Sequence, residues 1–176
     1  MSDSWLSNSR LLDLVAKHAN TGILVDSSLL LVLCVGVLDR NRVSQEKGTR
    51  EYTPEDFDIL SDFLGRFPRR FATPNILTEL SNLSGRLRED MRFLFRLWMR
   101  EELFAQLEEQ YVPTKDAMLH FVFERLGVTD ATISIIADQG ILVLTSDLNL
   151  SIMLESRKLD CILFRRDLGS YVLSSE

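Results

Sequence analysis

The stretch GILVDSSLLLVLCVG, residues 22–36, is apolar almost throughout but carries one carboxylate, Asp26, near its start. Its first part, GILVD, predicts a short buried strand, and Ser27 or Ser28 can cap a helix that continues through the following apolar residues. Asp26 therefore lies at the carboxyl end of a strand, the edge at which parallel α/β sheets bind ligands. A lone buried charge is costly, so we expect other groups to compensate it.

A second segment of the same kind lies near the other end of the chain. The residues ILVLTSD, 141–147, predict the clearest strand, and this strand also ends in an acid, Asp147. Shorter strands are predicted at Phe71 and Ala72 and in CILF, residues 161–164. Helical patterns cover 9–20, 57–67 after a start signal at Thr53 and Pro54, 73–85 with Thr73 as cap, 86–112, 114–127 with Thr114 as cap, 129–140 and 148–160. This alternation predicts an α/β fold, a three-layer α/β/α sandwich with a mainly parallel central sheet.

The length and composition of the chain are those of one ordinary domain. The chain has 176 residues, of which 45% are hydrophobic, enough for a substantial core. Residues 1–21 are expected to form an N-terminal helical extension of this domain. Residues 39–53 are polar and lack periodicity, so they predict a flexible loop.

The net charge, the cysteines and the apolar segments argue against a non-specific nucleic-acid binder, a secreted protein and a membrane protein. The net charge of −6 argues against non-specific nucleic-acid binding, although a local basic patch can outweigh the total. Cys34 and Cys161 lie in apolar runs and predict buried thiols in a reducing compartment. The start of the chain lacks a secretory-signal pattern, and the apolar run at 27–38 is too short to span a bilayer. We expect a soluble, cytoplasmic protein that does not contact a membrane.

Four acids occupy positions that a parallel sheet could bring together. Asp26 and Asp147 end two predicted strands, Asp130 lies in the first turn of a predicted helix, and Glu79 can reach the same edge from its own helix. Each acid alone could equally be a cap or turn residue, because strand ends and helix N-termini favour carboxylates.

The segments ILVDSS, TPNILTEL, TDATISIIA and LTSDLNL, in this order, resemble the four acidic motifs of the PIN domain. This family is similar to the nuclease domains of toxins in bacterial toxin–antitoxin pairs. The resemblance extends from Gly22 to Phe164 and implies a sheet of about five strands and a metal-dependent ribonuclease. It also implies that the catalytic residues and metal ligands are Asp26, Glu79, Asp130 and Asp147. The polar loop, an arginine-rich helical region and the chain length depart from the compact toxins.

The chemistry of the acids points to a hard cation. Clustered carboxylates repel one another, and Mg²⁺ or Mn²⁺, which prefer oxygen ligands, would relieve that repulsion. Such a site suits phosphodiester hydrolysis, in which the metal activates water and neutralises charge on the phosphate. The hydroxyls of Ser27, Thr145 and Ser146 could hydrogen-bond the carboxylates or metal-bound waters, or they could be ordinary turn and cap groups.

A basic stripe follows one predicted helix of this acidic protein. Its members recur every four residues and are Arg88, Arg92, Arg96 and Arg100. The stripe could bind an RNA backbone beside the acids, or it could be a solvated face paired with nearby acids. Apolar residues between the arginines could belong to the core or to a face that binds a second copy or another protein.

Together these patterns favour a Mg²⁺- or Mn²⁺-dependent endoribonuclease of toxin type that acts on RNA. The resemblance further implies an antitoxin or other protein partner, and a homodimer is another expectation. Two alternatives stay open at this stage. One is a PIN-fold scaffold module that binds proteins and has no activity, and the other is a metal-dependent phosphatase.

Overall fold

The computed structural model describes residues 4–169. These residues fold around a five-stranded sheet. The strands are β1 (Ile23–Val25), β2 (Arg70–Ala72), β3 (Glu108–Glu109), β4 (Leu142–Thr145) and β5 (Cys161–Leu163). All are parallel and their order in the sheet is β3-β2-β1-β4-β5. Helices cover both faces, so the predicted three-layer α/β/α sandwich and its parallel sheet are confirmed.

Helices connect the strands in chain order. They are α1 (Ser9–His18), α2 (Ser27–Leu38), α3 (Pro54–Leu64), α4 (Pro74–Leu83), α5 (Glu89–Trp98), α6 (Phe104–Gln106), α7 (Thr114–Leu119), α8 (Phe123–Leu126), α9 (Val128–Asp138), α10 (Leu148–Ser156) and α11 (Phe164–Asp167). Short 3-10 turns lie at Ser4–Ser7, Arg40–Arg42 and Ser84–Arg86. Among the residues described, no helix is both long and apolar enough to cross a membrane.

The stretch 22–36 forms the centre of the molecule. Strand β1 is buried at all three residues and pairs with β2 on one side and β4 on the other. Helix α2 is apolar around most of its circumference because α3, α4 and α5 all pack against it. A side chain at Gly36 would collide with Phe57, since a Cβ there would lie 2.1 Å from Phe57 Cδ2. Close packing of α2 against α3 therefore requires glycine at this position.

The predicted start signals of α3 and α4 are confirmed. Thr53 and Asp56 form a reciprocal capping box at the start of α3, and the Thr73 hydroxyl accepts from the backbone N–H of Ile76 at the start of α4. In both helices proline follows the cap, where its missing N–H costs nothing. Cys34 and Cys161 are buried free thiols, as expected.

The prediction of one long helix over 86–112 is wrong. Helix α5 ends at Trp98 and is followed by a π-helical turn, Met99–Leu103, by the short helix α6 and then by strand β3. Strand β3 consists of two exposed glutamates, which have low β propensity, and it forms because its backbone pairs with β2. The prediction over 114–127 also needs correction, because Pro113 occupies the cap position and the segment divides into α7 and α8.

Residues 39–53 form a loop, but this loop has a packed interior that its polar sequence did not reveal. Glu46 is fully buried, accepts hydrogen bonds from Arg42 Nε at 2.9 Å and from the Arg88 backbone N–H at 2.8 Å, and thereby ties the loop to the start of α5. Arg42 also bonds Asp90 at 3.0 Å. The loop is therefore held by charge-assisted hydrogen bonds around a buried carboxylate.

The N-terminal segment is docked on the edge of the sheet. His18 is buried, and its Nε2 lies 2.7 Å from Asp160 Oδ2, just before β5. Arg10 donates to the carbonyl oxygen of Cys161 at 2.9 Å. Helix α1 therefore contacts the body of the domain through hydrogen bonds at the β5 side.

Candidate metal centre

Strands β1 and β4 bring their terminal acids to one edge of the sheet. They are adjacent and parallel, with Val25 paired to Leu144. The backbone N–H of Asp26 donates to the carbonyl oxygen of Leu144 at 3.0 Å, so the pairing extends into the acid itself. Asp147 lies three residues beyond Leu144, at the start of α10. The carboxyl ends of both strands therefore open onto the same region.

Asp26 is nearly buried, and hydroxyl groups satisfy its carboxylate. Oδ2 accepts from Thr145 Oγ1 at 2.7 Å, and Oδ1 accepts from Ser27 Oγ at 3.1 Å. A third hydroxyl, that of Ser28, lies 3.4 Å from Oδ2. Asp26 occupies the N-cap position of α2, but its side chain makes no cap hydrogen bond. Within residues 4–169 it has no ion pair, and the side chains that contact its carboxylate carry hydroxyl groups.

Asp147 has a structural role that the sequence allowed as an alternative. Its Oδ1 accepts from the backbone N–H groups of Asn149 at 2.7 Å and Leu150 at 3.0 Å, which caps α10. Its own N–H donates to Thr145 Oγ1 at 2.9 Å, so one hydroxyl links Asp147 to Asp26. The capping bonds use Oδ1, and Oδ2 makes no hydrogen bond in the described chain.

Glu79 and Asp130 complete a group with Asp26 and Asp147, which we call the acid cluster. Burial and the charge of Asp26 raise the pKa of Glu79, with a smaller contribution from Asp147, while hydrogen bonding from the Ser27 and Thr129 hydroxyls opposes the rise. For Asp130, burial and then the charges of Asp147, Asp26 and Glu79 raise the pKa to about 7. The four predicted site residues therefore lie close enough together to repel one another.

The hydroxyls around the cluster extend further than the sequence indicated. Ser146 does not bond a carboxylate directly, because its Oγ lies 2.6 Å from Ser28 Oγ, which in turn approaches Asp26. Ser146 also forms a hydrogen bond with Tyr52. Burial raises the pKa of Tyr52, and this hydrogen bond opposes the rise. Arg165 lies over the Tyr52 ring, with its guanidinium carbon 5.0 Å from the ring centre.

Sequence reasoning missed Ser28 and Tyr52 for different reasons. The sequence pattern predicts Ser28 as a helix cap, but its position two residues after Asp26 also allows a contact with the acid. Tyr52 belongs to the loop at 39–53, and no local pattern gives the path by which that loop returns to the sheet. Its contact with Ser146 depends on tertiary packing alone.

Of the four arginines of the predicted stripe, Arg88, Arg96 and Arg100 are exposed and Arg92 is half-buried on α5. Arg88 and Arg100 lie near acids, with Arg88 Nε 3.8 Å from Glu46 and Arg100 2.6 Å from Glu101. Arg92 and Arg96 have no ion pair in the part of the chain that the structure describes. The stripe thus contains both the paired arginines of a solvated face and unpaired ones available to a ligand.

The acid cluster fits a hard cation in chemistry but is not arranged as a finished ligand set. No group of three or more His, Cys, Asp or Glu side chains in residues 4–169 is already placed to hold a metal ion. Hydrogen bonds account for part of this arrangement, because they turn Asp26 toward its hydroxyls and Asp147 Oδ1 toward α10. The donors are all oxygens, the type that Mg²⁺ and Mn²⁺ prefer, and Asp147 Oδ2 accepts no hydrogen bond from residues 4–169. The residues therefore suit such an ion in ligand type, although the described side chains are not grouped closely around one point.

Comparisons of the chain with models of known protein families, with curated proteins and with solved structures gave no match. The resemblance to PIN domains thus remains a prediction that rests on the four motifs.

Proposed function

We propose that the protein is a Mg²⁺- or Mn²⁺-dependent endoribonuclease. The observation that carries this proposal is the convergence of Asp26, Glu79, Asp130 and Asp147 at the carboxyl edge of β1 and β4. Within residues 4–169 no basic side chain forms an ion pair with these four acids, and the side chains that contact the Asp26 carboxylate carry hydroxyl groups. A group of acids that leaves its own charge uncompensated is suited to a cationic ligand.

Asp26, Asp147 and Asp130 each have a distinct part in this proposal. When bound, the divalent ion supplies an activated water and neutralises charge on the attacked phosphate. Thr145 and Ser27 fix the direction of the Asp26 carboxylate. Asp147 keeps Oδ1 on α10 and offers Oδ2 to the ion. Asp130, whose pKa is about 7, gives up its proton when it becomes a ligand.

The substrate and partners belong to the same proposal. Arg92 and Arg96, which lack ion pairs in residues 4–169, are the members of the stripe best placed to meet an RNA backbone. By resemblance to the toxins, a protein inhibitor of antitoxin type would act on this enzyme.

A cleavage assay tests the proposal. Purified protein is incubated with structured and unstructured RNA in Mg²⁺ or Mn²⁺, and then with a chelator. We expect cleavage only with the ion, and its loss in Asp26→Asn and Asp147→Asn. The matched control is Asp13→Asn, an exposed acid on α1, which should cleave like wild type. Cleavage that persists in chelator or in the cluster variants would contradict the mechanism.

A scaffold module without activity is the second candidate. It is favoured by the capping role of Asp147 and by the lack of a finished metal-ligand set among the described residues. In that case the cluster would bind no ion, no RNA would be cut, and Mn²⁺ would leave the melting temperature unchanged.

A further inference from the structure

A cleft of about 380 Å³ lies directly beside the acid cluster. One face of α4 lines it through Asn75, Thr78, Glu79 and Asn82, which follow the i, i+3, i+4, i+7 spacing of a single helix face. Glu79 belongs to both the cleft and the cluster. Thr129, which also lines the cleft, immediately precedes Asp130. The cleft is therefore continuous with the site at which the proposed reaction occurs.

Another part of the lining comes from the segment that directly follows β3, through Tyr111, Val112 and Thr114. The backbone N–H of Gln110 donates to the carbonyl oxygen of Ala72 at 2.9 Å, which holds this segment beside the start of α4. The next residue, Tyr111, lines the cleft with 76% of its surface exposed, while Val112 is buried. An aromatic ring so exposed contributes little to the core. It is available to a ligand that can stack on it.

The residues that line the cleft favour entry of a nucleobase over entry of a phosphate group. No lysine or arginine lines the cleft in the described chain, and its one charged residue is Glu79. A phosphate would be repelled there, whereas a neutral ring would not. Asn75 and Asn82 offer amide groups that both donate and accept hydrogen bonds, as the edge of a base requires. The volume also lies within the range of small-ligand sites.

We propose that this cleft binds one unpaired nucleobase of the RNA substrate, stacked on Tyr111 and hydrogen-bonded by the asparagines of α4. The inference rests on the proposed function, since it places the base next to the phosphate that the acid cluster would attack. A base within a duplex is stacked and paired and cannot enter a side cleft. The protein therefore selects single-stranded RNA or loops over duplex.

Two variants of Tyr111 separate stacking from other effects. Tyr111→Phe keeps the ring, whereas Tyr111→Ala removes it. Loss of one stacked base reduces affinity by roughly five- to a hundredfold. We expect Tyr111→Ala to raise the KM for single-stranded RNA within this range with little change in kcat, and Tyr111→Phe to resemble wild type. Leu119→Ala is the control, because Leu119 is equally exposed at 76% and does not line the cleft.

A binding measurement makes the inference independent of cleavage. A short single-stranded RNA that carries the fluorescent base 2-aminopurine is titrated into the Asp26→Asn protein, in which the proposed chemistry is disabled. We expect its fluorescence to change on binding, and the change and affinity to fall when Tyr111→Ala is added. A duplex of the same sequence should bind more weakly than the single strand.

The outcomes distinguish the two proposals. If wild type cuts RNA, but Tyr111→Ala binds and cuts single strands equally well, the cleft has no role and the nuclease proposal stands. If wild type cuts no RNA, the nuclease proposal fails. The titration then decides the inference alone, and equal binding by the two Tyr111 variants would overturn it.

Discussion

Asp26 keeps its carboxylate at a position only 9% exposed without any cationic partner in residues 4–169. The hydroxyl of Thr145 contacts it at 2.7 Å and also accepts from the N–H of Asp147. Hydroxyls stabilise an ionised acid less than a salt bridge would, but they leave its negative charge uncancelled. The local structure at Asp26 thus preserves a negative potential at the sheet edge.

Substitutions at Asp147 separate its capping role from its charge. Asparagine caps helices as well as aspartate, so Asp147→Asn removes charge but keeps α10 capped. We expect its melting temperature in chelator to exceed that of wild type, because repulsion with Asp130 is relieved. Asp147→Ala should be less stable than Asp147→Asn by about 1 kcal/mol, the usual value of a lost cap. Equal stability of the two variants would refute the capping role.

Repeating these thermal unfolding measurements with Mn²⁺ tests whether the charge of Asp147 contributes to cation binding. The wild-type melting temperature should rise more than that of Asp147→Asn, since a ligand that binds only the folded state stabilises it. If wild type melts higher than Asp147→Asn in chelator and neither responds to Mn²⁺, Asp147 is a cap residue alone.

Asp130 makes the free energy of unfolding depend on pH. Its pKa rises from 3.8 to about 7 on folding, so between these values the folded protein holds a proton that the unfolded chain has lost. The resulting stabilisation is complete below the unfolded pKa and declines as the pH rises through about 7. In chelator, the melting temperature of wild type should therefore fall between pH 5 and 8 relative to that of Asp130→Asn.

The difference between the two proteins is the quantity to measure, because other groups titrate equally in both. At pH 8, Asp130→Asn should melt at least about 2–4 °C higher than wild type, the shift that roughly 1 kcal/mol produces in a domain of this size. Parallel curves for the two proteins would show that Asp130 is not coupled to the other acids.

The conformation of the loop at 39–53 depends on one buried acid, Glu46. Glu46 accepts from Arg42 and from the Arg88 backbone, and removing one partner from a buried ionic group typically costs about 3–5 kcal/mol. We expect Glu46→Ala to lower the melting temperature strongly and to expose the loop to limited proteolysis. Because Tyr52 ends this loop and contacts Ser146, the variant should also disturb the acid cluster. Arg50→Ala, at an exposed residue of the same loop, is the control and should resemble wild type in both measurements.

Local patterns predicted the central strands because their signals are strong. Ile23–Val25 and Leu142–Thr145 are apolar runs that end in an acid and a helix start, so both their positions and the edge they share follow from the sequence. Strand β3 could not be predicted in this way, since Glu108 and Glu109 form a strand only through pairing with β2. The break at the π-helical turn after Trp98 likewise has no proline or glycine to mark it.

The candidate site also contains features that local sequence patterns predict and features that they do not. The four acids were predicted because each lies at a strand end or on a helix beside one. The capping role of Asp147 was an alternative that the sequence left open. The approach of Tyr52 was not predicted, because it depends on a loop that crosses to the sheet. Sequence patterns thus located the residues, whereas their orientations depend on tertiary packing.

At the scale of the whole molecule, an acidic protein must bind an acidic polymer through local charge. The net charge is −6, so the arginine stripe would have to supply the attraction. We expect Arg92→Glu with Arg96→Glu to weaken RNA binding and to flatten its dependence on salt, while the affinity for Mn²⁺ is unchanged. Neither arginine has an ion pair in residues 4–169, so the fold should tolerate the change.

Arg125→Glu provides the control for this measurement, because Arg125 is exposed on α8 and outside the stripe. Its RNA affinity should stay closer to that of wild type. If the stripe variant and wild type share the same affinity and salt slope, the stripe is a solvated face or a surface for a protein partner.

Anomalous diffraction from crystals containing Mn²⁺ would locate a divalent cation held by Asp26, Glu79, Asp130 and Asp147. We expect an anomalous peak at the carboxyl edge of β1 and β4, coordinated by carboxylate oxygens of these acids. Asp147 should coordinate the ion through Oδ2 while Oδ1 still caps α10. Crystals at saturating Mn²⁺ that show no anomalous peak among these four carboxylates would rule out a cation site at this edge.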